Sequence, residues 1–223
     1  MKRGPKPKGT VEIKWSPNFA YAIGLLTTDG CLSPDGRHID LTSKDEEQIH
    51  NFINCLGLKN KIGIKFAGNK KITSNRVQFG DVLFYKFLLD IGLTPNKSKV
   101  LEEIKIPEKY FFDFLRGHFD GDGTFYSYID KRWKSSFMFY MVFVSASEKH
   151  INWLRNKIKN LLKTSGSIVK SKNNSCYQLR YAKKESLKLI DKIYYSKNII
   201  FLKRKSLKIN KVLSIISPDA RVL

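Results

Sequence analysis

Two aspartates 93 residues apart, Asp29 and Asp122, sit in nearly the same surroundings: each ends an apolar run of helical character and is followed at once by glycine. The runs are Phe19-Ala-Tyr-Ala-Ile-Gly-Leu-Leu-Thr-Thr-Asp-Gly30 and Phe112-Asp-Phe-Leu-Arg-Gly-His-Phe-Asp-Gly-Asp-Gly123, and the shift lays Gly24 on Gly117 and Asp29 on Asp122. A lone Asp-Gly is a turn or a helix stop. A duplicated one at matched helical phase points to carboxylates acting as a pair. Helix C-termini carry about half a negative charge, and two acids placed there also repel each other. Bound divalent cations relieve both penalties. An oxygen-only donor set favours Mg²⁺, with Ca²⁺ or Mn²⁺ as substitutes, and metals held by paired carboxylates activate water for phosphodiester hydrolysis.

A calcium loop beginning at Asp120-Gly-Asp-Gly-Thr124 is excluded, because its sixth position is Phe125 instead of glycine and its twelfth is Lys131 instead of glutamate. His118, four residues before Asp122, reads as helix packing, and His38, His50 and His150 form no cluster in the sequence.

The elements that must position the aspartates are themselves repeated. Ser16-Pro17 is a good start for the first helix, with a capping side chain and proline in the first turn. Ala20, Gly24 and Thr28, and Asp113, Gly117 and Gly121, recur at four-residue spacing. Such small residues let two helix backbones approach closely at a pseudo-twofold axis, the alternative being that each helix packs on its own sheet. A hairpin follows each helix, Cys31 to Thr42 around Ser-Pro-Asp-Gly and a longer one from Thr124 to Val144. Capping boxes at Ser43-Lys-Asp-Glu46 and Ser145-Ala-Ser-Glu148 begin second helices. Further β segments at 61–79 and 167–181 precede third helices, and the copies close on Asn96-Lys97-Ser98 and Arg204-Lys205-Ser206. Each copy thus reads helix, two strands, helix, two strands, helix. The implied organisation is a flexible basic arm over residues 1–14, a first half over 15–105 and a second over 106–223.

Composition narrows the partners. The 223 residues carry 41 Lys and Arg against 20 Asp and Glu, a net charge of +21, which calls for a polyanion. Cys31, Cys55 and Cys176 have neither paired zinc spacing nor the even count of a disulfide framework, which suits a reducing compartment, cytoplasm or organelle matrix. Apolar stretches such as 19–26 and 137–144 are too short for the roughly 20 residues of a membrane span, so a soluble intracellular protein with no membrane partner is expected. Residues 1–110 have 18 basic against 12 acidic side chains and residues 111–223 have 23 against 8, so the second half is expected to grip a polyanion more tightly and with steeper salt dependence.

At Ala22-Ile-Gly-Leu-Leu-Thr-Thr-Asp-Gly30 and Leu115-Arg-Gly-His-Phe-Asp-Gly-Asp-Gly123 the sequence resembles the LAGLIDADG homing endonuclease family in its single-chain, two-motif form. The order of elements from about residue 16 to 212 fits as well. The resemblance implies an α+β fold of two pseudo-symmetric αββαββα halves, with the motif helices at the interface and four-stranded antiparallel sheets forming a saddle on DNA. It places the catalytic and metal-binding acids at Asp29 and Asp122, and a basic residue near each at Lys97 and Lys205. An earlier acid position of the motif holds Thr27 in one copy and Asp120 in the other, a departure expected to affect helix capping. A water-binding polar residue before the second helix falls on Ser43 or Asp45, and on Ser145 or Ser147.

Strand alternation, counted from the aspartates, turns Thr124, Tyr126, Tyr128, Asp130 and Arg132 outward in the long hairpin. It likewise turns out His38, Asp40, Thr42, Arg76, Gln78, Gln178 and Arg180. Arg76, Gln78, Gln178 and Arg180 suit base edges, the lysines Lys65, Lys71, Lys134, Lys170 and Lys172 suit phosphates, and Arg37 is a further DNA-binding candidate. The function expected is a monomeric, site-specific, Mg²⁺-dependent double-strand DNA endonuclease serving intron mobility. The alternatives are an RNA maturase or a non-cleaving nucleic-acid-binding protein on the same fold, with intron RNA as partner, and more remotely a ribosomal or chromatin-like basic protein.

Overall fold

The computed structural model describes residues 9–66, 73–130, 137–171 and 175–216. The first repeat runs α1 (Pro17–Thr28), β1 (Gly30–Leu32), β2 (His38–Ser43), α2 (Glu46–Leu56), β3 (Gly63–Phe66), β4 (Thr73–Gly80) and α3 (Val82–Asp90). The second runs α4 (Phe111–Asp122), β5 (Thr124–Ile129), β6 (Phe137–Ser145), α5 (Glu148–Leu162), β7 (Ser167–Lys170), β8 (Tyr177–Ala182) and α6 (Lys183–Ile193). A further helix, α7 (Lys203–Ile216), stands where the first repeat has only a 3-10 turn at Lys97–Lys99; the strand-and-helix pattern of the repeat does not announce it.

Each repeat builds one four-stranded antiparallel sheet, ordered β1-β2-β4-β3 and β5-β6-β8-β7. Ile39 lies opposite Phe79 in one sheet and Met141 opposite Tyr181 in the other, and all four are buried. Alternation does the rest: the apolar members of each strand face a helix layer and the polar members face away. Ile49 and Phe52 of α2, Phe84 and Leu88 of α3, Ile151, Leu154 and Ile158 of α5, and Leu189, Ile190 and Ile193 of α6 complete the core against those inner faces. Val142 departs from the pattern, being buried although its parity is outward.

Helix starts differ from the sequence reading by two residues. Asp45 and Ser147 are the N-caps of α2 and α5, so the glutamates occupy the first helical position instead of closing a capping box. Ser43 and Ser145 instead accept the N–H groups of Asp45 and Ser147, each at a distance of two residues. The segment before α1 is also better anchored than a basic arm extending to residue 14 would be. Asp81, which caps α3 through Oδ1, accepts the N–H groups of Thr10 (2.5 Å) and Val11 (2.9 Å) on Oδ2, and Val11 is buried. No helix among the described residues is long and apolar enough to cross a membrane.

Candidate active site

Helices α1 and α4 cross in contact at their glycines. A Cβ added at Gly24 would lie 2.2 Å from the Phe114 carbonyl oxygen, and one at Gly117 would lie 2.1 Å from that of Tyr21. Only backbone against backbone approaches this closely, so the small-residue stripe is a helix interface. Asp113 is the exception within the stripe, since it turns away to pair with Arg116.

The crossing brings the helix C-termini together, with Asp29 as the cap of α1 and Asp122 as the last residue of α4. Burial pushes the Asp29 carboxyl up to about 6, and repulsion from Asp122 adds to the rise. Asp122 lies open at the surface and is also raised, by the protein packed around it, with Lys205 and Lys97 opposing the shift. Gly30 and Gly123 do not turn through a left-handed conformation, as a helix-stop glycine would. Their role is close passage: a Cβ would stand 2.6 Å from the Leu26 carbonyl oxygen in one copy and 2.5 Å from that of Phe119 in the other.

The two lysines are buried beneath the aspartates instead of being solvated. Lys97 donates to the Gly30 carbonyl, and Lys205 donates to those of Phe119, Gly121 (3.1 Å) and Gly123 (2.7 Å). Lys205 therefore spends all three N–H bonds on the end of α4 and acts on the aspartates through its charge. Burial lowers both lysines, Lys205 to about 8, against the opposing pull of nearby carboxylates.

The aspartates differ in their neighbours. Gln48, one turn into α2, donates to Asp29 Oδ2 at 2.6 Å. It borders an open cleft of about 630 Å³ together with Asp29, Thr42, Ser43, Asp45 and Arg204. Beside Asp122 the cleft is about 260 Å³, and its walls include Thr27, Thr28, Ser145, Ala146 and Cys176. His150 stands three residues after the Ser147 cap of α5, as Gln48 stands three after Asp45, but it turns inward. Its Nε2 meets His118 Nε2 at 3.2 Å and its Nδ1 meets the Glu102 carbonyl at 2.7 Å. His118 and His150 are thus a buried pair, where the sequence had suggested no association. Ser147 caps α5 and donates to the Leu101 carbonyl, which removes it from any water-binding role; Asp45 pairs with Arg204 at 2.8 Å.

Gln48 is not legible in the sequence, because the capping pattern before α2 carries the local signal and nothing in it shows that the third helical residue reaches Asp29. Nor does the sequence show how Lys205 is placed. Five consecutive residues ahead of it are each held by one side chain: the Ile200 carbonyl by Arg116, the Phe201 carbonyl by Asn51, the Leu202 N–H by Asp120, the Lys203 N–H by Glu47 and Arg204 by Asp45. Asp120 also accepts from the Tyr21 hydroxyl at 2.8 Å, so the second motif's extra acid secures the start of α7 and the helix crossing, not its own helix end. Its counterpart Thr27 merely bonds back to the Ile23 carbonyl. Arg116, fully buried, also bonds the Ile193 carbonyl and Asp113.

The outer sheet faces carry most of the expected contact residues. Gln78, Thr124, Tyr128, Lys65 and Lys170 are exposed, while Arg76, Tyr126, Gln178 and Arg180 are half-exposed. Arg180 is steadied by Gln178 Oε1 (3.0 and 2.6 Å), and Tyr126 and Tyr128 both stack on Tyr140. Arg37 bonds His38, which Asp35 holds from the other side. Asp40 is a correction: it is buried and bonded to Arg76, so it serves to orient that arginine and is not itself presented to a partner. Lys71, Arg132, Lys134 and Lys172 lie outside the described residues.

No protein-family model matches the sequence, and no curated protein sequence matches it significantly. Solved structures do. The structure of I-DmoI in complex with DNA and Ca superposes with a TM-score of 0.56 at 15% identity, over 86% of this chain and 96% of that one. The chain has the LAGLIDADG fold. I-LtrWI, a LAGLIDADG homing endonuclease bound to target DNA, gives 0.55 at 12% identity over 90% and 91% of the two chains. The N-terminal LAGLIDADG domain of DUF199/WhiA gives 0.54 at 15% identity over 85% and 88%.

Proposed function

We propose that this chain is a divalent-metal-dependent, site-specific endodeoxyribonuclease that cuts both strands of a duplex lying across its two sheets. One observation carries the reading: the backbone-tight crossing of α1 and α4 holds Asp29 and Asp122 together at an open surface. The fold is shared with proteins whose structures contain target DNA, and I-DmoI structures with Mn, Ca or Mg support divalent metal use.

The donor set fits a hard cation. Both carboxylates sit at negative helix ends, and burial gives Asp29 a high proton affinity that a cation could replace. Magnesium bound there would lower the pKa of water and stabilise charge on a leaving oxygen. The chain's own part is to hold geometry and potential. Gln48 fixes the Asp29 carboxylate, Lys97 keeps N–H groups beyond its bond to Gly30 for a water or phosphate oxygen, and Lys205 supplies positive charge beneath both acids. Arg76, Gln78, Gln178 and Arg180 read base edges, while Lys65 and Lys170 contact phosphates.

The test is selection of bound duplexes from a random-sequence library in Ca²⁺, followed by transfer of the selected duplex to Mg²⁺. Cutting of both strands at a fixed position supports the proposal. Specific binding with no cutting in Mg²⁺ or Mn²⁺ would leave a non-cleaving DNA-binding protein.

A further inference from the structure

The sequence assigns the larger positive charge to the second half, and among the described residues most of that charge stands on helices and not on the sheet. Helices α5, α6 and α7 carry thirteen lysines and arginines against three acids, of which Arg204 and Lys205 serve the site and eleven lie elsewhere on the layer, whereas α2 and α3 carry one against three. These helices cover the inner face of the second sheet: Leu179 and Tyr181 point toward them, and Gln178 and Arg180 point the opposite way. A duplex lying on the outer face cannot neutralise cations on the far side of the helix layer.

The two surfaces also differ in the kind of cation. Arginine, with its planar fork for base edges, appears at Arg76 and Arg180 on the sheets. The helix layer's two arginines are already committed, Arg155 to the Ser165 carbonyl and Arg204 to Asp45. What remains exposed there is lysine, a point charge suited to phosphate without sequence reading. Lys184, Lys188 and Lys192 form a row along α6 at four-residue spacing, roughly 6 Å per step, and Lys208 and Lys211 stand on the open side of α7. Among the described residues none of these five forms an ion pair. Like charges four residues apart weaken a helix by a few tenths of a kcal/mol per pair, and an external polyanion removes that repulsion.

We infer that the helix layer of the second half is a second, sequence-independent DNA-binding surface, which takes another duplex segment while the sheets hold the first. Charge complementarity selects a polyphosphate, and duplex DNA is the polymer the sheet surface itself is proposed to meet. The inference rests on the DNA-binding part of the proposed function and not on cleavage.

The experiment titrates the full chain with a 16-base-pair duplex of arbitrary sequence and reads stoichiometry by sedimentation. Wild type is expected to bind two duplexes. The variant carrying K184E, K188E, K192E, K208E and K211E is expected to bind one, with circular dichroism confirming its fold and the corresponding glutamine set controlling for charge reversal. If all five lysines contact phosphate, the second event weakens by about 500-fold between 50 and 200 mM salt, at about 0.9 counterions released per contact. One duplex on wild type, two on the variant, or a second place filled by an RNA hairpin and not by DNA would each overturn the inference. Binding of no duplex at all would instead sink the DNA reading beneath it. Strand cleavage of a selected target by the variant, which alters none of the site residues, is expected to remain at the wild-type rate.

Discussion

Replacing Gly24 by alanine separates two physical effects of opposite sign. In an ordinary helix interior the change favours folding by about 1 kcal/mol, because alanine restricts the unfolded chain and has the better helix propensity. Here the new methyl would sit 2.2 Å from the Phe114 carbonyl oxygen, 2.7 Å from the His118 nitrogen and 2.9 Å from the Gly117 carbon, all backbone atoms that no rotamer change can move. Restoring ordinary contact requires α1 and α4 to part by about 1 Å, and overpacking of a core costs about 3 kcal/mol. The net expectation is a loss of about 2 kcal/mol in urea unfolding. Gly117→Ala meets the Tyr21 carbonyl at 2.1 Å and should lose about as much. Once either methyl has parted the helices the other fits at little extra cost, so the double variant should lose clearly less than the sum of the singles. A displacement of about 1 Å also shifts the paired carboxylates, for which a hundredfold loss of cutting is expected in variants that remain folded and bind DNA. Stabilisation by Gly24→Ala, or strict additivity in the double variant, would refute the close crossing.

Further perturbations address the surroundings of the site. Gln48→Ala removes the donor that lowers the Asp29 carboxyl, so that group rises above about 6; the acid limb of the cutting rate should shift to higher pH, and an unshifted limb would count against contact between the two. Arg116→Met leaves buried Asp113 with the Tyr195 hydroxyl but no cation and frees the chain at Ile193 and Ile200, for an expected loss of about 3 kcal/mol in urea unfolding; a loss below about 1 kcal/mol would contradict the buried ion pair. Asp120 is held up at about 6 by burial, so the folded state binds its proton more tightly than the unfolded chain, and its contribution to stability rises as pH falls from 6 toward 4. Asp120→Asn lacks that rise and should lose about 2 kcal/mol relative to wild type between pH 7 and pH 4, whereas a difference independent of pH would contradict it. Burial keeps His150 at about 4 and His118 also below the ordinary histidine range, so their imidazole resonances should stay fixed from pH 8 to pH 5.5; titration near 6.5 would show them to be solvated.

Much of this was legible because it repeats or alternates. The matched glycine stripes foretold the crossing, and strand parity placed Gln78, Gln178 and Arg180 on the outer faces and Ile39, Leu41 and Leu179 on the inner ones. What stayed hidden depends on contacts between residues distant in sequence. The five-residue fastening ahead of Lys205 draws on α2 and α4 together, and the His118–His150 pair joins helices with no common pattern. Asp40 alternates correctly outward, yet Arg76 on the neighbouring strand covers it, which a period-two count cannot register. Net charge per half could not locate the cations, because a sum over residues says nothing of the face on which they stand.

The central claim is that Asp29 and Asp122 act as one metal-dependent centre. Its most direct test is strand-resolved cleavage of a selected duplex in Mg²⁺ by the Asp29→Asn and Asp122→Asn variants, with binding of the same duplex measured alongside. Each variant is expected to bind the duplex and to lose double-strand cutting. Undiminished double-strand cutting by either variant would contradict the account.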